Sequence, residues 1–142
     1  MSGMIKTALR GLLAVAALLL VTTALSAPAE ALNRTCAQKL VSNVHQVTIC
    51  VEQSERGNPY ALAGFFTASP EPPSSMWAGL YQCNNSTGPY CGLVSANKDI
   101  IKIIDNKYQV HGSSVPYSPG HTYKACMSVG GIISNFCTKE TT

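Results

Sequence analysis

Charge is what this sequence has least of. Only 12% of its 142 residues are Asp, Glu, Lys or Arg, about half the share of an ordinary soluble domain. Beside 46% apolar residues, that scarcity excludes a disordered polar chain, which holds too few apolar groups to collapse. It also excludes a coiled coil, whose helices need charge. Ten Lys and Arg against seven Asp and Glu leave a net charge of +3, with no basic cluster. A nucleic-acid binder concentrates basic residues on one face, so nucleic acid is not an expected partner. Metal-ligand spacing is missing too. His45, His111 and His121 stand 66 and 10 residues apart, and no cysteines have the two-residue gap of zinc sites. No Gly-x-Ser-x-Gly elbow surrounds Ser113, Ser114 or Ser118, the serines near His111 and His121, and there is no glycine-rich phosphate loop. The acids Glu52, Glu55, Glu71, Asp99, Asp105 and Glu140 mostly adjoin turns, where carboxylates serve local hydrogen bonds. No catalytic residue, metal or cofactor is therefore expected, and the chain reads as a non-enzyme. A small secreted hydrolase with a site assembled only in space is an alternative.

The first thing present is an address. Lys6 and Arg10 precede an apolar run from Gly11 to Leu25. As a helix that run would reach about 22 Å, short of the roughly 30 Å hydrocarbon core. Small residues follow at Ala27-Pro28-Ala29-Glu30-Ala31. Basic start, short apolar middle and small-residue exit read as a secretory signal peptide over residues 1–31, cleaved after Ala31. Residues 32–142 then form a single secreted, extracellular domain with no membrane partner. Losing Lys6, Arg10 and Glu30 lowers the net charge from +3 to +2, which offers no electrostatic steering toward an anionic surface. Cys36, Cys50, Cys83, Cys91, Cys126 and Cys137 all remain, and an even count in an exported chain reads as three disulfides.

The mature chain shows alternation where a helix would show a longer period. Between Val44 and Gln53, Val47, Ile49 and Val51 alternate with Gln46, Thr48 and Glu52, the mark of a half-buried strand. Glu55-Arg56-Gly57-Asn58-Pro59 breaks the pattern, and Tyr60–Thr67 runs as the next strand. Pro70, Pro72 and Pro73 make residues 69–75 a loop. Further strands are expected at Met76–Cys83, Tyr90–Ala96, Ile100–Ile104, Tyr108–Gly112, His121–Val129 and Ile132–Thr138. Ala37–Ser42 could supply one helical turn. Short strands joined by turns imply an all-β antiparallel sandwich or barrel.

Cysteine spacing suggests local pairing. If Cys83 opposes Cys91, Ser86-Thr87-Gly88 becomes a hairpin loop with glycine in its left-handed last place. Pairing Cys126 with Cys137, centred between Gly131 and Ile132, sets Met127 against Phe136. That register gives Tyr123, Ala125, Met127, Val129 and Phe136 a core face and leaves Lys124, Ser128 and Asn135 with the cysteines. Pairing Cys36 with Cys50 fits less well, because it sets Lys39 opposite Val47.

Ser118-Pro119-Gly120-His121-Thr122-Tyr123, leading into Ala125-Cys126-Met127-Ser128-Val129-Gly130-Gly131, resembles the penultimate strand of fibronectin type III and other immunoglobulin-like domains. There a Pro-Gly turn precedes a strand with an inward tyrosine. The resemblance implies an immunoglobulin-like β-sandwich used for binding, and it brings no catalytic residues with it.

Two surfaces are candidates for that binding. Alternation places Trp77, Gly79 and Tyr81 on the outward face with Cys83, the aromatic positions about 13 Å apart with a gap at Gly79. Exposed rings can stack on a carbohydrate or anchor a protein. The competing reading buries this strand on both faces, since Met76, Ala78 and Leu80 are apolar as well. The proline-stiffened loop 67–75 is the second candidate, either the presented loop of a secreted enzyme inhibitor or a plain crossover between sheets. Lys102 within Ile100–Ile104 reads as a guard against edge pairing. The sequence thus points to a secreted, disulfide-stapled binding or cell-surface module.

Overall fold

The computed structural model describes residues 32–84 and 90–141. The proposed signal segment and the Ser86-Thr87-Gly88 turn lie outside the described residues. In chain order the strands are β1 (Thr35–Ser42), β2 (His45–Gln53), β3 (Pro59–Thr67), β4 (Met76–Asn84), β5 (Tyr90–Asn97), β6 (Ile101–Ile104), β7 (Lys107–His111), β8 (His121–Val129) and β9 (Ile133–Cys137). They form two antiparallel sheets. Sheet 1 has the order β1-β2-β3-β7-β6 and sheet 2 the order β5-β4-β8-β9.

Alternation explains why the sheets face each other. Val47, Ile49 and Val51 of β2 are buried, as are Ala61, Ala63 and Phe65 of β3 and Tyr108 and Val110 of β7. Sheet 2 answers with Met76, Ala78 and Leu80 of β4 and Tyr123, Ala125, Met127 and Val129 of β8. These side chains form one apolar cluster between the sheets. Each large member contributes about 1.5–3 kcal/mol by leaving water. The protein is therefore an all-β sandwich.

All three disulfides lie within a sheet, Cys36–Cys50 between β1 and β2, Cys83–Cys91 between β4 and β5, Cys126–Cys137 between β8 and β9. Each joins residues directly opposite in register. The less favoured pair forms as well, and Lys39 does oppose Val47. It can do so because β1 is an edge strand, where Lys39 stays exposed.

Two local expectations are corrected. The residues given a helical turn belong to β1, because pairing with β2 and the bridge to Cys50 override the helix preference of Ala, Gln, Lys and Leu. In the β8–β9 hairpin the cysteines pair as expected and Met127 faces Phe136, but Val129 pairs with Ile133. Ser134 and Asn135 together oppose Ser128 in a bulge, with Asn135 at φ +51°. The connection is thus Gly130-Gly131-Ile132, with Gly131 at φ +72° and Ile132 N donating to Val129 O at 3.0 Å.

The entry to β8 is tightly specified. Pro119-Gly120 turns the chain, with Gly120 at φ +80° and His121 N donating to Ser118 O at 3.3 Å. Fully buried Tyr123 then reaches back, its hydroxyl accepting from Ser118 N at 2.8 Å.

Candidate ligand-binding face

β4 lies between β5 and β8, and its side chains divide cleanly. Met76, Ala78 and Leu80 enter the core, while Trp77 and Tyr81 are half-buried on the opposite face, beside Lys124 and the disulfide cysteines. Neither a free-standing platform nor a doubly buried strand describes this. Trp77 and Tyr81 do not stand 13 Å apart. Their ring centroids are 6.5 Å apart in an edge-to-face arrangement, with planes at 72°. The expected gap at Gly79 is filled by the indole, which lies along the strand. A Cβ on residue 79 would come within 2.5 Å of Trp77 Cζ2 and 2.9 Å of Leu93 Cδ1. A side chain there would push the indole or the Leu93 tip aside, so glycine is what lets Trp77 lie over the strand.

Lys124 completes the surface. It sits opposite Tyr81 in the β4–β8 register, and its ammonium lies 5.6 Å from the Tyr81 ring centroid. That is cation–π distance, and it holds a positive charge over an aromatic face. Beside Trp77 a groove of about 550 Å³ runs toward the β8–β9 turn, lined by Lys98, Ser128, Ile132, Ile133 and Ser134 among others. An apolar ring edge, hydroxyls and ammonium groups therefore converge on one face. The sequence placed Lys124 and Ser128 on this side through the cysteine register. The groove was hidden, because the bulge at Asn135 and the remote Lys98 shape it.

The other candidates are dispersed. His111 Nε2 lies 3.0 Å from Gln109 Oε1, and His121 Nδ1 lies 3.4 Å from the Pro119 carbonyl. Among the described residues no hydrogen bond joins a serine hydroxyl to either ring. Cysteine sulphurs converge with a carboxylate twice, Cys36 and Cys50 with Glu52 and Cys83 and Cys91 with Glu140. Both pairs are disulfides, so neither offers the thiolate that binds metals. Glu52 accepts from Arg34 Nε at 2.6 Å, and Glu140 accepts from Thr122 Oγ1 at 2.8 Å.

Residues 68–75 carry the chain from sheet 1 to sheet 2 and are anchored at both ends. Ala68 N donates to Val44 O at 2.8 Å, and Gly130 N donates to Ser75 O at 2.9 Å. The segment is a crossover with an exposed proline tip. Lys102 lies on the edge strand β6 with its ammonium 2.9 Å from Asp105. Hydrogen bonding to Asp105, then its charge, raises the Lys102 pKa, and the reciprocal contact lowers that of Asp105.

Comparison with known protein families, with curated proteins and with solved structures finds no match to this chain.

Proposed function

We propose that this protein is a secreted, extracellular, non-enzymatic binding module of immunoglobulin-like type, taking a carbohydrate or protein ligand at Trp77 and Tyr81. Strand order supports the type. With β2 to β9 lettered A, B, C, C′, D, E, F and G, sheet 1 reads A-B-E-D after the extra strand β1 and sheet 2 reads C′-C-F-G. The Tyr123 bond to Ser118 has the form of the tyrosine corner that such domains carry near the start of strand F. Two antibody features are replaced. Ala125 occupies the inward position two residues after Tyr123, where an inter-sheet cysteine would stand, and Trp77 faces outward. Secretion is supported by the leader-like sequence and by the three disulfides, which are typical of oxidising compartments.

The observation that carries the binding reading is the outward aromatic pair with Lys124 above it and the groove alongside. Covering roughly 100 Å² of that surface contributes about 2.5 kcal/mol at about 25 cal/mol per Å². Hydrogen bonds from Ser128 and Lys98 would bring the total to millimolar affinity, about 4 kcal/mol. Trp77 is the only tryptophan, so its emission reports this site directly. Titration with soluble polysaccharides and with the producing cell's exported proteins should shift that emission for a true ligand. Trp77→Ala should abolish the binding and cost less than about 2 kcal/mol of stability, since no enclosed cavity is left. A loss of about 3–5 kcal/mol would make Trp77 a core residue and retire the reading.

A further inference from the structure

Gly64 has no conformational or packing reason to be glycine. It stands in the middle of β3, the central strand of sheet 1. A glycine there weakens a sheet and commonly marks a place where something approaches the backbone closely. Its φ is not positive, and a Cβ would meet only Thr48 at 3.9 Å, an ordinary contact. Gly112 and Gly130, by contrast, press against the Ala61 backbone and the Ser75 hydroxyl.

The register shows what the missing side chain creates. Gln38, Thr48, Gly64 and Gln109 form one outward row across β1, β2, β3 and β7. Phe66 stands in the next row on one side, and Leu62 with the Cys36–Cys50 disulfide stands on the other. Between them lies a trench of about 460 Å³. At ordinary strand spacing it runs about 14 Å from Gln38 to Gln109. One of its polar groups is set in place. Gln109 is held by His111 at 3.0 Å, and the His111 ring stacks on Tyr60 with centroids 6.4 Å apart.

We propose that this trench is a second binding site, for an uncharged oligosaccharide chain. Glutamine amides and a threonine hydroxyl both donate and accept, which matches the hydroxyls of a sugar. Phe66, 42% exposed, offers the apolar face on which a sugar's C–H face packs. The trench crosses the middle of a sheet whose backbone groups are already paired, so no peptide can add to it as a strand. A phosphate chain would need a line of cations. Here Arg34 is bound to Glu52 at 2.6 Å and Lys107 stands alone at the rim.

The test is an NMR titration of the oxidised protein with cellohexaose, chitohexaose and laminarihexaose, using wild type, Gly64→Val, Thr48→Val and Trp77→Ala. At least one hexasaccharide should shift the amides around Gly64, Thr48 and Gln109. Gly64→Val should weaken that binding by about tenfold or more without lowering the melting midpoint, because a β-branched residue suits an open strand position. Thr48→Val, which changes no volume, should weaken it several-fold and decides the matter if Gly64→Val folds poorly. Trp77→Ala should leave these shifts intact even where it abolishes binding on the other face. Three silent hexasaccharides, unchanged affinity in both trench variants, or loss confined to Trp77→Ala would each overturn the proposal.

Discussion

Gly64 and Gly79 occupy equivalent places, outward positions on interior strands of the two sheets, and they are glycine for opposite reasons. At Gly79 the space a side chain would use is already taken by the Trp77 indole and Leu93. At Gly64 the space is open, with only Thr48 at 3.9 Å. One glycine serves packing within the chain, the other leaves room for what is not part of the chain. A strand glycine is therefore informative only once its missing Cβ has been built and its neighbours measured. The same contrast runs across the outer faces. Sheet 2 carries two disulfides and a packed Trp77–Tyr81 pair, whereas sheet 1 carries one disulfide and an open row through Gln38, Thr48, Gly64 and Gln109.

The largest expected effect separates the sheets by their bridges. Loop separations of 14, 8 and 11 residues correspond to about 3, 2.6 and 2.8 kcal/mol of loop-closure entropy. Replacing the sheet 2 cysteines Cys83, Cys91, Cys126 and Cys137 by serine should cost about 5 kcal/mol, and Cys36→Ser with Cys50→Ser about 3. Full reduction should approach the whole stability of a domain of this size, about 5–15 kcal/mol. Urea titrations of the variants measure this, and a larger loss from sheet 1 would reverse the ranking.

Next in size, Gly79→Ala should displace the indole and cost about 1–3 kcal/mol, with a change in Trp77 emission. Gly64→Ala should do the reverse and stabilise by about 0.4–1 kcal/mol, since the new methyl meets no clash. Melting curves of the two variants test the contrast, and equal signs would end it.

The smallest effect lies on the sheet 1 edge. The hydrogen bond from Lys102 holds the Asp105 pKa down, so whatever the pair contributes is present above the ordinary aspartate value and is lost as pH falls through the lowered one. For Lys102 the contribution is complete below the ordinary lysine value and is lost as pH rises through the raised one. Both groups are solvent-exposed, so Asp105→Asn should leave the melting midpoint unchanged. In the wild-type protein an NMR titration of the Asp105 carboxyl should still show the lowered pKa.

Much of this fold was legible because its signals are local. Alternation in β2 and apolar runs between turn residues elsewhere found every described strand except β1, and hairpin arithmetic on Cys83–Cys91 and Cys126–Cys137 gave the pairing, the second also the core face. β1 was missed because its residues suit a helix and only pairing with β2 makes them a strand. The bulge at Asn135 escaped because one extra residue shifts a turn without moving the cysteines. At the candidate site, sequence order gave the outward face of Trp77 and Tyr81, but the side-chain direction that lays the indole on Gly79 is a rotamer and leaves no trace in spacing. The Gly64 trench was invisible for a topological reason. Gln109 joins Thr48 and Gly64 only through the pairing of β3 with β7, strands separated by β4, β5 and β6 in the chain.

Within-sheet bridges also decide how the molecule bears tension. A pull on Leu32 and Thr141 cannot peel β1 past Cys36 or β9 past Cys137, because each bridge hands the load to the neighbouring strand. The force then enters β2 at Cys50 and β8 at Cys126. These strands belong to opposite sheets and pack face to face through Val47, Ile49 and Val51 against Tyr123, Ala125 and Met127. Unzipping from an edge would break hydrogen bonds one at a time. Here Leu32 and Thr141 lie at the same end of the sandwich, where Thr141 Oγ1 donates to the Asn33 carbonyl, so the load prises the two sheets apart at that end, across the core and not along an edge.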